Sequence, residues 1–202
     1  LHEHCEMLEV RKEGDRIAAL ATARGNMEAD HYVFAAGAWA PHWQRTLECR
    51  LPVQPGKGYS ITLARPENSP RSPTLFPEHR VGVTPMDGAI RLGSIMEFSG
   101  YDETIPEHRL GLLRDGANRY LNEPIATPVV ATWYGWRPMT YDSLPIIGAA
   151  PRLGNLTLAV GHNMVGMTLA PATGRLVAEL VSHSTPHIDP APFCPTRFEK
   201  VW

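Results

Sequence analysis

The sequence predicts an α+β fold, and three observations carry that expectation. Asp87-Gly88 stands between two alternating apolar runs, 81–86 and 89–96, the strongest short hairpin signal in the chain. Residues 107–121 place Leu110, Leu113, Ala117 and Leu121 at helical spacing, and Pro106 suits the first turn. Strand patterns crowd the middle while helical patterns stand apart from them. That distribution argues for a largely antiparallel sheet with segregated helices, not for a doubly wound unit.

The remaining elements follow in order. Residues 2–9 alternate and read as a strand. The His2-Glu3-His4-Cys5 cluster invites a metal, and His2 and His4 would share a strand face, but that histidine pair has no obvious third ligand nearby, so an edge strand is the reading kept. Residues 16–22 and 27–34 are further strands around an Arg24-Gly25-Asn26 turn. The second continues to Trp39 and becomes small at Ala35, Ala36, Gly37 and Ala38. Such an end admits a close helix or a ligand. Residues 51–55 are extended, Gly56-Lys57-Gly58 interrupts them, and 59–63 alternate again. Pro66, Pro70, Pro73 and Pro77 mark a loop. Residues 129–136 form a strand, with Trp133 and Gly135 on one face and Tyr134 and Trp136 on the other. Residues 156–160 form a short buried strand. The helix after it carries Leu169, Thr173, Leu176 and Leu180, and Pro171 and Gly174 predict a bend or a late start. The proline-rich tail from Pro186 is expected on the surface.

Composition narrows the function classes. The chain has 202 residues, room for one large or two small domains, and is 43% hydrophobic and 20% charged. A net charge of −2 offers no electrostatic grip on nucleic acid or an anionic membrane. No apolar run reaches the roughly 18–20 residues of a membrane span. Cys5, Cys49 and Cys194 form no CxxC pair, which leaves neither a zinc site nor a disulfide framework and reads as free thiols in a reducing compartment. The chain opens at Leu1 without an initiator methionine, directly into strand-like alternation, so a fragment of a longer protein is expected.

Two stretches invite chemistry. Arg137 ends an aromatic strand beside Trp136 and Pro138, and arginine grips a carboxylate through two N–H groups. Stacking on Trp136 or pairing with Asp142 are the alternatives. Further on, Gly161 and Gly166 flank a turn between a buried strand and a helix. The first amides of a helix lack internal partners and attract anions. Met167 stands where a phosphate loop needs lysine, so that motif is rejected. His162 reads as a packed side chain or a base. The chain contains neither GxSxG nor GxGxxG.

As an ordered set, these segments resemble a known family. They are Ala35-Ala36-Gly37-Ala38-Trp39, Pro55-Gly56-Lys57-Gly58-Tyr59, and Arg91-Leu92-Gly93-Ser94-Ile95-Met96-Glu97. Trp136-Arg137-Pro138-Met139-Thr140, Leu144-Pro145-Ile146-Ile147-Gly148 and the turn and helix from Gly161 to Gly174 complete it. The set resembles the C-terminal half of the D-amino acid oxidase (DAO) family of FAD-dependent oxidoreductases, and is similar to its D-amino acid dehydrogenase and glycine oxidase members. The resemblance implies that Arg137 holds a substrate carboxylate and acts as the catalytic positioning group, with Met96, Tyr59 and Tyr134 lining the substrate pocket. It implies non-covalent FAD beside Gly37, Trp39, Gly161, His162, Asn163, Met164, Val165, Gly166, Met167 and Thr168. A helix start there stabilises negative charge on a reduced flavin.

Departures from the family pattern bear on specificity. Asn163 replaces the last residue of a common Gly-His-Gly turn. Met164 stands where glycine oxidase-like members carry a second arginine, which weakens glycine as substrate. Gly135 stands where sarcosine oxidase relatives attach flavin through cysteine. The resemblance further implies three segments. Residues 1–48 form part of an FAD-binding domain, 49–136 a substrate-binding domain with the 107–121 helix, and 137–202 the returning FAD-domain segment and tail. The GxGxxG portion would lie outside the chain. The expected function is oxidation of the CH–NH bond of a D-amino acid or small amine acid, in the cytoplasm or peripherally on the inner membrane face. The alternatives are an inactive, FAD-free fragment that needs a partner chain or its front half, and a sarcosine/glycine oxidase-type or tRNA-modifying oxidase. The ordinary charge disfavours an RNA partner.

Overall fold

The structure is a computed structural model that describes residues 1–198; the last four residues of the expected tail, 199–202, lie outside the described residues. Its strands are β1 (Met7–Glu13), β2 (Arg16–Thr22), β3 (Gly25–Met27), β4 (Tyr32–Phe34), β5 (Val53–Ala64), β6 (Thr74–Phe76), β7 (Val81–Met86), β8 (Ala89–Glu97), β9 (Val129–Thr140), β10 (Ile146–Ala149) and β11 (Leu156–Val160). Its α-helices are α1 (Glu107–Asn118) and α2 (Gly166–Val181). The expected α+β class holds. The chain divides into two compact units, one of residues 1–54 and 138–202 and one of residues 55–137.

The unit of residues 55–137 is a five-stranded sheet in the order β6-β7-β8-β5-β9. The hairpin expected at Asp87-Gly88 forms, with Met86 opposite Ala89 and Gly88 at φ 64. Its core gathers Tyr59, Ile61, Leu63, Val81, Val83, Ile90 and Leu92 beneath Leu113 and Ala117 of α1. Burying one such aliphatic side chain is worth about 1.5–3 kcal/mol, which is how one three-turn helix stays docked. Gly116 lets α1 approach, since a Cβ there would stand 2.8 Å from Val81 Cγ2. The helix ends at Asn118, short of the 121 expected.

The other unit holds two sheets. The first is antiparallel, β1-β2-β3; the second is β10-β11-β4, with β11 antiparallel to β10 and parallel to β4. Asn155, 2% exposed, joins them. Its Oδ1 accepts from Ile17 N at 2.8 Å, its Nδ2 donates to Ile17 O at 2.9 Å, and its own carbonyl accepts from Tyr32 N at 2.8 Å. A buried asparagine thus stands in for a peptide unit, with both ends of its side-chain amide paired.

Several expectations need correction. The first strand is Met7–Glu13, not 2–9, because the two-residue Gly14-Asp15 turn pairs Glu13 with Arg16 and sets the register from that end. The strand expected over 27–34 and on to Trp39 is two short strands. Gly37, at φ 54, turns the chain into a 3-10 helix over Gly37–Trp43. Gly56-Lys57-Gly58 does not interrupt a strand, for β5 runs unbroken from Val53 to Ala64. The strand expected to stop at Trp136 continues to Thr140, and α2 starts at Gly166 without delay. The tail is not merely superficial. Phe198 is 1% exposed, and the Arg197 guanidinium donates to Asp142 Oδ2 at 2.8 Å.

Candidate active site

In the unit of residues 55–137, Arg137 sits near the end of β9. Its guanidinium lies against Gly58 of β5, and a Cβ built on that glycine would stand 2.1 Å from Nη1. Nη1 donates to Ile95 O at 3.1 Å, the one hydrogen bond of this side chain among the described residues. No carboxylate pairs with it there; Asp142, one candidate partner, is taken by Arg197. Burial alone pushes the Arg137 pKa down, yet a guanidinium remains charged in proteins. A half-buried cation without an anion is costly to keep, and the cost suits a group that receives its anion from outside.

Ile95 reaches Arg137 through a strained backbone. Its φ of 63 is left-handed, which costs a β-branched residue on the order of 1–2 kcal/mol. Met96 follows it at the same irregularity in β8, where the β5 partner shifts register between Lys57 and Tyr59.

Aromatic rings surround this corner. Tyr134 and Tyr101 each meet Trp136 edge-on, with centroids 5.3 and 5.6 Å apart. Lys57, fully buried, places Nζ 5.1 Å from both the Tyr59 and the Tyr134 ring centroids and donates to Asp102 Oδ2 at 2.7 Å and to Thr104 O. Burial pulls the Lys57 pKa down, but Asp102 and Tyr59 outweigh it and hold it above the usual lysine value. Tyr59 Oη donates to Glu97 Oε2 at 2.7 Å, and Arg109 pairs with the other oxygen of that carboxylate. The Tyr59 hydrogen bond leads in holding the Glu97 pKa low, helped by Arg109. The network is charged and satisfied, so it can hold its aromatic walls still.

In the other unit, Gly37, His162 and Gly166 line a cavity of about 400 Å³ with Val33, Ala35, Ala159 and the α2 residues Ala170, Thr173, Gly174 and Val177. Its lining is mostly apolar. Gly161 at φ 75 and Asn163 at φ 53 are both left-handed. This explains why asparagine can replace glycine in the turn, since it tolerates that region better than most residues. Asn163 also stitches the turn to the end of β9. Its Oδ1 accepts from Thr140 N at 2.9 Å, its Nδ2 donates to Gly161 O at 2.9 Å, and its own N–H donates to Pro138 O at 3.0 Å. His162 Nε2 lies 3.0 Å from Thr173 Oγ1, and burial pushes its pKa down, favouring the neutral ring.

The start of α2 is open. Val165 occupies the cap position without a side-chain hydrogen bond, and no acidic residue stands in the first turn. The free amides therefore keep their partial positive charge. Met164, Val165 and Met167 are exposed at 67%, 46% and 91% beside this end, and Thr168 is exposed too. Trp39 is 50% exposed. These five do not line the cavity.

The residues singled out from sequence therefore fall into two groups. Arg137, Met96, Tyr59 and Tyr134 belong to the unit of residues 55–137; Gly37, Trp39 and the 161–168 turn belong to the other. Sequence reasoning quoted Lys57, Gly58 and Ile95 as part of the family pattern but gave none of them a role. The only available signal was Gly56-Lys57-Gly58, which reads as a break because glycine in a strand is ambiguous between interruption and close approach.

The residues fit a flavin on three counts: an uncapped helix start without acid, a left-handed turn before it, and an apolar cavity bordered by glycines. The 202 residues contain no GxGxxG, the motif that holds a dinucleotide's diphosphate. The chain is 38% identical over 196 residues to a glycine oxidase of Pseudomonas aeruginosa, covering 96% of this chain and 53% of that protein. It is 33% identical over 188 residues to a D-amino acid dehydrogenase of Granulibacter bethesdensis, covering 92% and 45%. The crystal structure of glycine oxidase from Geobacillus kaustophilus superposes with a TM-score of 0.88 at 29% identity, covering 98% of this chain and 53% of that one. The chain thus spans about half the length of the curated relatives it matches. Residues 1–180 match the family of FAD dependent oxidoreductases designated DAO, and the chain belongs to that family.

Proposed function

We propose that the protein containing this chain oxidises the CH–NH bond of a D-amino acid or another small amine acid, by hydride transfer from the substrate Cα to FAD. The observation that carries this reading is the half-buried Arg137 guanidinium, which has no carboxylate partner among the described residues. A substrate carboxylate completes it with paired charge-assisted hydrogen bonds. Relatives of both relevant kinds, glycine oxidase and D-amino acid dehydrogenase, act on molecules that carry such a group next to the nitrogen.

When bound, the flavin supplies the two-electron acceptor. The chain's residues do the rest by placement. Arg137 fixes the carboxylate and with it the Cα, and orientation of this kind can account for much of a rate enhancement. Tyr134 and Met96 bound the side-chain space, and Tyr59, buried in the core, backs it. The open amides at the start of α2 stabilise negative charge that develops beside them. His162, held neutral, borders the cavity without adding a charge of its own.

The reading concerns the whole protein, because the chain spans half of its relatives and holds no GxGxxG. The test is a panel. Full-length flavoprotein is mixed anaerobically with D-amino acids, glycine, sarcosine, the L-enantiomers and the matching decarboxylated amines, and loss of flavin absorbance is followed. Amine acids should bleach the flavin and their decarboxylated counterparts should not. Equal rates with and without the carboxylate would remove the role given to Arg137.

A further inference from the structure

The seat beneath Arg137 is built from two departures from regular sheet. Tyr59 stands opposite Ser94 and Lys57 opposite Glu97, so Gly58 alone faces the two residues Ile95 and Met96. Ile95 takes the left-handed turn of that bulge, where glycine is the usual choice, and its carbonyl accepts from Arg137 Nη1 at 3.1 Å. Gly58 supplies the floor. A Cβ there would stand 2.1 Å from Nη1, 2.5 Å from Nη2 and 2.6 Å from Cζ. The guanidinium therefore occupies the volume of a missing side chain.

We propose that Gly58 and the bulged Ile95 set the reach of Arg137, and so decide where the substrate carboxylate is held. The inference rests on the carboxylate role proposed above. Gly58 is a positioning residue that touches no substrate and acts through the arginine. The three atoms nearest the missing Cβ all belong to the Arg137 guanidinium. A methyl at this position therefore meets the far end of a flexible side chain first, and that tip has to move. Ordinary contact begins near 3.4 Å, so the tip must retreat by more than an ångström. A misplacement of that size can cost on the order of 100-fold in rate while the anion is still bound.

The experiment uses the full-length flavoprotein and reads two quantities that a merely structural role would not separate. Gly58→Ala should lower kcat about 100-fold, while KM for the amine acid and the dissociation constant for propionate, measured by calorimetry, stay within about threefold. Arg137→Ala should instead weaken propionate binding by about 30-fold or more, and adding Gly58→Ala in that background should change nothing further. A kcat within about threefold of the parent in Gly58→Ala would overturn the inference. Unchanged propionate affinity in Arg137→Ala would instead sink the carboxylate reading itself, so the two failures are distinct. A second pair guards against misfolding. Lysine's slimmer ammonium clears the added methyl, so Arg137→Lys with Gly58→Ala should match Arg137→Lys alone. A further loss in the double variant places the damage in the strand and overturns the inference.

Discussion

Lys57 Nζ donates to Asp102 Oδ2 across 2.7 Å, and the two ends of that bond differ in exposure: the lysine side chain is wholly buried and the aspartate side chain is 38% exposed. The asymmetry predicts an asymmetric response to mutation. Lys57→Met leaves a carboxylate that water can reach. Asp102→Asn leaves a buried ammonium with Thr104 O, two tyrosine rings and the more distant charge of Glu97, but no carboxylate bonded to it. Asp102→Asn should therefore lower the melting temperature more than Lys57→Met. Scanning calorimetry of the two variants checks the order, and the reverse order would contradict the buried-cation account.

Asn163 holds two properties at once, a left-handed backbone and a side chain bonded to Thr140 N and Gly161 O. Asn163→Gly keeps the first and loses the second, at about 1 kcal/mol of stability. Asn163→Ala loses both, at about 2–3 kcal/mol. Urea unfolding of the two variants separates backbone from side chain. Equal losses would mean that the positive φ carries no cost here.

Acid should destabilise the fold through identifiable groups. The Lys57 hydrogen bond, with help from Thr104, holds the Asp102 pKa down at about 2 from the ordinary 3.8. His187 likewise leads in holding Glu179 at about 2 from 4.5. Each carboxylate binds its proton more readily when unfolded. Their stabilisation is thus complete above about pH 5 and lost as pH falls towards 2. His162 adds an earlier slope of the same sign, because burial lowers its pKa below 6.5 and the unfolded chain takes up that proton first. Stability measured by denaturant titration should fall below pH 6.5 and more steeply below pH 4. Asp102→Asn should flatten the lower limb, and an unaltered limb would contradict the assignment.

Legibility of the sequence followed the range of the forces involved. The Asp87-Gly88 hairpin, α1, β2 and β11 were readable because turn chemistry or apolar period decides them locally. The first strand was misplaced because Gly14-Asp15, two residues outside the pattern, anchors its register. The continuity of β5 was hidden because Gly58 is required by a side chain 79 positions later, and no local pattern reports that. Arg137 was legible as a residue from its aromatic surroundings, but not its bond to Ile95, because nothing in Ile95 announces a left-handed backbone. Among the turn residues, Asn163 was readable only as a departure; its φ shows why the departure is tolerated.

The most direct test of the whole account is the KM of Arg137→Ala in the full-length flavoprotein, measured on whichever amine acid the panel selects. Removing a bidentate charged contact that binds the substrate should raise KM by about two orders of magnitude or more, with the cofactor still bound and the fold unchanged by circular dichroism. A KM equal to that of the parent protein would show that the half-buried guanidinium holds no substrate, and the proposed reaction would lose its anchor.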